Sequence, residues 1–116
     1  MASFVSSVDS CSINGTWIVN SGSTSHMTGT YNAFQSIMEI EPGHFVDTGM
    51  NLPQVAVRGF GTVRFQLECG EFLQVDSVLF VPGLRISRLS VSALEDGGLG
   101  TLVMFGCLFI YHMHDP

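Results

Sequence analysis

Between residues 55 and 67 the chain alternates hydrophobic and polar positions, with Val55, Val57, Val63, Phe65 and Leu67 recurring at even spacing. A two-residue period sends successive side chains to opposite faces of a strand. Gly59-Phe60-Gly61 falls in the middle of the run, so the pattern predicts a hairpin with a flexible tip at 59–61. The β-branched and aromatic run at 16–19 predicts a buried strand leading into the turn Asn20-Ser21-Gly22. Further strands are predicted over 33–40, ended by Pro42-Gly43, over 44–47, over 72–81, ended by Pro82-Gly83, and over the apolar stretch 102–111. The period changes between 87 and 95, with Ile86, Leu89 and Ala93 on one side. There Ser92 and Glu95 have capping-box spacing and Gly97-Gly98 supplies a stop, which predicts one short helix. Short strands at close spacing with a single late helix imply an all-β domain, a small closed or partly closed β barrel with one short helix near the C-terminus. The Ser-rich residues 1–14 read as a flexible arm, 15–111 as the barrel domain and 112–116 as a tail.

Composition narrows the functions open to such a domain. At 116 residues, with 46% hydrophobic and 12% charged, the chain reads as one compact core. Its formal charge is −6, its only cations besides histidine are Arg58, Arg64, Arg85 and Arg88, and it has no lysine. Clustered cations are needed to hold a phosphate backbone, so nucleic acid is not an expected partner. So little charge on so apolar a chain favours a surface that is partly a subunit interface, and hence a homo-oligomer. Cys11, Cys69 and Cys107 form an odd set without C-x-x-C or metal-ligand spacing, which predicts free thiols in a reducing, cytoplasmic setting. The apolar stretch 102–113 is broken by Gly106 and His112 and is too short to span a bilayer, so no membrane role is expected.

Three segments, in order, carry a resemblance: TWIVNSGSTSHMTG at 16–29, VAVRGFGTVRF at 55–65 and VLFVPGLRISRLSVSALEDGG at 78–98. They resemble the protease of copia-type retrotransposon polyproteins, whose first segment runs W-I-hydrophobic-D-S-G-A-S-x-H-M-T. Its third runs V-L-Y-V-P-G-L-x-x-N-L-L-S-V-x-x-L. Trp17, Ile18, Ser21, Gly22, Ser25, His26, Met27 and Thr28 match the first pattern. Pro82-Gly83-Leu84, Leu89-Ser90-Val91 and Leu94 match the third. The departures in the first segment are Asn20 for the catalytic aspartate and Ser23 for an alanine.

The resemblance implies a retropepsin-like acid protease barrel that acts as a two-fold homodimer, cleaves an extended peptide or Gag-Pol polyprotein, and uses no cofactor. It places Asn20, Ser21 and Gly22 at the catalytic turn and Gly59, Phe60 and Gly61 at a substrate-binding flap, with the helix after Pro82-Gly83 bracing the turn. Two carboxylates at such an axis share one proton and act as paired base and acid. A carboxamide has nearly the same shape but neither accepts that proton nor shares it. The chain is therefore expected to keep the fold and lack the activity. The alternative is a repurposed module that binds peptides without cutting them, or that dimerises with an Asp-bearing homologue and inhibits it.

Other candidates have plainer readings. Asp47-Thr48-Gly49 spells the catalytic tripeptide literally, but reads as a hairpin turn. His26 is expected to make a structural hydrogen bond to a neighbouring loop. Cys107 and Trp17 are read as core, Arg58 as a residue that could steer acidic peptides, and His112, His114 and Asp115 as too weak a set to assign a metal.

Overall fold

The computed structural model describes residues 17–20, 23–49, 51–66, 72–104 and 107–112, with backbone alone at Asn20, Gln66, 102–104 and 107–112. The chain begins with β1 (Trp17–Asn20) and β2 (Met27–Thr28). A single 3-10 turn at Tyr31–Ala33 leads into β3 (Phe34–Glu39), and the short β4 (Phe45–Val46) and β5 (Val55–Ala56) follow. Then come the long pair β6 (Gly59–Gln66) and β7 (Phe72–Phe80), and β8 (Ser87–Ser90), which runs directly into α1 (Val91–Asp96). β9 (Leu99–Met104) and β10 (Cys107–His112) complete the described chain.

Six strands form one sheet in the order β1-β8-β2-β7-β6-β3, while β4 with β5 and β9 with β10 are separate two-stranded antiparallel ribbons. The protein is thus mostly β with one short helix. The main sheet is open, because among the described residues no ladder joins β3 back to β1. The expected closure is therefore not seen in the hydrogen bonding.

Two apolar clusters hold these layers together. The larger gathers Trp17, Ala33, Val63, Phe65, Leu73, Val75, Val78, Leu89, Leu94 and Leu99. Trp17 is 1% exposed and meets the Phe65 ring edge-on with centroids 5.0 Å apart, so it is a core residue. Leu94 and Leu99 bring α1 and β9 onto the same core, so the helix is held by burial, since six residues alone make too short a helix to persist in water. The smaller cluster, Met27, Val57 and Val81 with Val46, Val55 and Leu84 against it, ties the β4–β5 ribbon to the sheet.

The structure corrects three expectations about local elements. Residues 59–61 are not a hairpin tip: they open β6 and lie between two neighbours, with Gly59 opposite Glu39 and Phe80 and Gly61 opposite Ile37 and Val78. A Cβ on Gly59 would stand 2.7 Å from the Met38 carbonyl oxygen, and one on Gly61 would collide with the Ser36 carbonyl. These glycines serve close strand approach rather than mobility. The helix starts later than its periodicity implied, because 87–90 is strand and the cap is Ser90, whose Oγ accepts from the Ala93 N–H at 3.1 Å. Finally, the apolar stretch predicted as one strand is two, β9 and β10, paired antiparallel with Cys107 opposite Met104. The arm expected over 1–14 and residues 113–116 of the expected tail lie outside the described residues.

Candidate functional site

The first and third motif segments meet at the end of β1. β1 pairs in parallel with β8, placing Asn20 in register with Ser90, the residue that caps α1. The chain after Asn20 is then tied to that cap. Ser90 Oγ donates to the Ser23 carbonyl at 2.6 Å, Ser92 Oγ lies 3.1 Å from Ser90 Oγ, and Ser23 Oγ donates to the Ser25 carbonyl at 2.8 Å. The Ser90 N–H donates to His26 Nδ1 at 2.9 Å, while the His26 carbonyl accepts from the Leu79 N–H at 2.9 Å.

His26 is 3% exposed, and burial lowers its pKa from 6.5 to about 4. It is therefore neutral near pH 7 and accepts at Nδ1, which places its ring proton on Nε2. This is a structural bond to a neighbouring segment, and the helix-start backbone is its partner. The matching Met27 and Thr28, with Gly29 after them, extend the lock. Met27 is buried, Thr28 Oγ1 and Ser87 Oγ share a buried hydrogen bond of 2.7 Å, and a Cβ on Gly29 would lie 2.5 Å from the Leu84 carbonyl. Leu84 belongs to the Pro82-Gly83 turn, where Gly83 has φ +90° and the Leu84 N–H reaches the Val81 carbonyl at 3.0 Å.

Opposite this lock stands the β4–β5 ribbon. Its loop, which begins Asp47-Thr48-Gly49, crosses above the sheet and encloses a groove of about 830 Å³ with the 23–25 segment. The groove floor is one row of side chains across three strands, since Ile18 is the register partner of Arg88 on one side and Met27 its partner on the other. Arg88 reaches up to the loop, its Nη2 donating to the Thr48 carbonyl. Asp47 is exposed and Thr48 buried, in a loop between two paired strands, so the literal D-T-G is part of a hairpin.

The sequence-predicted site residues thus fall in two places. Asn20 ends β1 beside the capped helix, while Ser21 and Gly22 lie outside the described residues. Gly59, Phe60 and Gly61 lie in the body of the sheet, which removes the tip position on which their flap role rested. The element facing the 23–25 segment across a groove is instead the 45–56 ribbon, whose hairpin signal was legible in Asp47-Thr48-Gly49. Arg58 is exposed at the joint between β5 and β6, and its N–H donates to the Phe80 carbonyl at 2.9 Å.

The site is thus a segment tied to a helix cap and faced by a hairpin across an open groove, on a small, mostly β domain. A family model for the Pol polyprotein β-barrel domain matches residues 17–99, and the protein belongs to that family. Comparison with curated proteins and with solved structures gave no significant match.

Proposed function

We propose that this Pol polyprotein β-barrel domain is a retrotransposon-derived aspartic protease domain of the copia type whose catalytic carboxylate has been replaced by Asn20. It is a catalytically inactive half-site. The observation that carries the reading is the register of Asn20 with Ser90, at the start of a segment fixed by the hydrogen bonds of Ser90 to Ser23 and His26. Such bracing is what a reacting carboxylate needs, because catalytic groups act only when held within a fraction of an ångström of their working geometry. The parent activity is endopeptidase cleavage of a Gag-Pol polyprotein.

In this reading two copies meet at the Asn20-Ser21-Gly22 turn, as a homodimer with one cleft, and the 45–56 ribbon of each copy closes over an extended peptide. Paired carboxylates at that axis would share a proton and activate a water. Two carboxamides give up that chemistry but also remove a like-charge repulsion, so the dimer forms without a proton being taken up. The setting is cytoplasmic, with no metal, cofactor, nucleic acid or membrane involved.

One observation favours a retained binding role over simple decay. The hydrogen bonds of Thr28 with Ser87 and of His26 with Ser90 are both formed around the position whose carboxylate is missing. This fits a module that grips peptides without cutting them, or that joins an Asp-bearing homologue and leaves the mixed dimer with one carboxylate of two.

The test is sedimentation equilibrium together with incubation of the chain with an unstructured polypeptide, with and without a statine-type inhibitor. The reading expects a dimer, peptide binding and intact polypeptide. A chain that stays monomeric at high concentration, or that cleaves in an inhibitor-sensitive way, would overturn it.

A further inference from the structure

We infer that the groove between the β1-β8-β2 face and the β4–β5 ribbon selects an extended peptide by an acidic side chain held on Arg88. The inference rests on reading the groove as a peptide cleft, and it adds the chemistry of what the cleft prefers.

Arg88 sits at the centre of the groove floor, between Ile18 and Met27. In the family's third segment as written above, leucine stands at this position, so the cation is a departure made by this chain. A guanidinium carries five donors and no acceptor. Here Nη2 donates to the Thr48 carbonyl, while Nε is buried with no partner. Nε and Nη2 form the edge by which a guanidinium grips a carboxylate with two parallel bonds, and that edge now holds one neutral oxygen.

No carboxylate among the described residues pairs with Arg88. Asp47 lines the same groove but is exposed and makes no ion pair with it. The other polar lining groups near it, Ser23, Thr24, Ser25 and Asn51, are neutral. A carboxylate entering the groove exchanges with the Thr48 carbonyl and satisfies the buried Nε as well, so a half-buried, half-satisfied cation becomes a paired one. Ile18, Val46 and Leu52 give apolar contact to the stem of the acidic side chain and to its neighbours. In the cleft reading a continuous peptide passes over Arg88, so the carboxylate it meets is a side chain rather than a C-terminus.

A purely structural Arg88 would tie the ribbon to the sheet and show no preference for acids. The two roles separate in a peptide-display selection, with randomised extended peptides panned against the native chain and against Arg88→Leu, which restores the apolar residue. The native chain is expected to enrich Asp and Glu over Asn and Gln at one internal position by at least about tenfold, since two parallel charge-assisted hydrogen bonds are roughly twice as strong as neutral ones. Arg88→Leu should lose that preference and still bind neutral peptides. Equal enrichment of acids and amides by the native chain overturns the inference while leaving the cleft reading in place. Failure of the native chain to enrich any peptide overturns both. Enrichment of acids only at the C-terminal end overturns the assignment to a side chain.

Discussion

The N–H of Ser90 donates to Nδ1 of His26 across 2.9 Å, joining positions 64 residues apart in sequence. This bond couples the segment that follows Asn20 to the first residue position of the helix turn that braces it. It also explains why a histidine stands there: the site needs a neutral acceptor that fills a buried space, and an imidazole of lowered pKa supplies one. Replacing His26 by Leu leaves the Ser90 N–H buried without an acceptor and should cost about 1–3 kcal/mol in urea unfolding. His26→Asn keeps an acceptor at a similar reach and should cost less. Equal losses would show that the bond carries little of the stability.

The same histidine makes stability depend on pH. In the unfolded chain the imidazole takes up a proton below its ordinary 6.5, whereas in the folded chain it resists until about pH 4. The unfolded state therefore binds more protons in that window, and stability falls as pH drops through it. The contribution is complete above 6.5 and has declined by about 3 kcal/mol at the lower end. Denaturant midpoints measured down this range should fall for the native chain and fall less for His26→Asn.

Gly61 offers a test that separates a sheet glycine from a flap glycine. Because a Cβ there would collide with the Ser36 carbonyl, Gly61→Ala should destabilise the fold by about 1–3 kcal/mol or more. An alanine at a mobile tip would leave the melting temperature nearly unchanged. Unaltered thermal unfolding of Gly61→Ala would contradict the placement of 59–61 inside the sheet.

How much of this was legible in the sequence depends on which signal dominated locally. Gly59 and Gly61 keep the odd-numbered phase of Val63 and Phe65, and all four belong to the one strand β6. The strength of glycine as a turn former masks that phase in the sequence. The Ser92 to Glu95 spacing concealed the true cap in the same way, because Ser90 is fixed by β8 and by tertiary contacts with Ser23, which no local pattern reveals. What a linear pattern did carry was the pairing of distant motifs. His26, Met27 and Thr28 from the first motif and Ser90 from the third meet in space as one lock. The groove was not legible, since Ile18, Arg88 and Met27 become neighbours only through the crossed strand order β1-β8-β2.

Ser90 serves both as helix cap and as the tie to Ser23, so its hydroxyl should matter more than an ordinary cap. Ser90→Ala is expected to lower stability by about 1–3 kcal/mol. It should also speed hydrogen exchange at the Ala93 amide well above the rest of the sheet. A uniform change in exchange across the chain would mean that the hydroxyl acts on the whole core and not on this junction.

The proposed function rests on a protease half-site whose carboxylate is missing at residue 20. The most direct measurement compares cleavage of one unstructured polypeptide by the native chain and by Asn20→Asp at about pH 5.5, where a proton-sharing carboxylate pair would be in its working form. The account predicts no cleavage by the native chain and cleavage by Asn20→Asp that a statine-type inhibitor abolishes. Inhibitor-sensitive cleavage by the native chain, or none by a folded and dimeric Asn20→Asp, would contradict it.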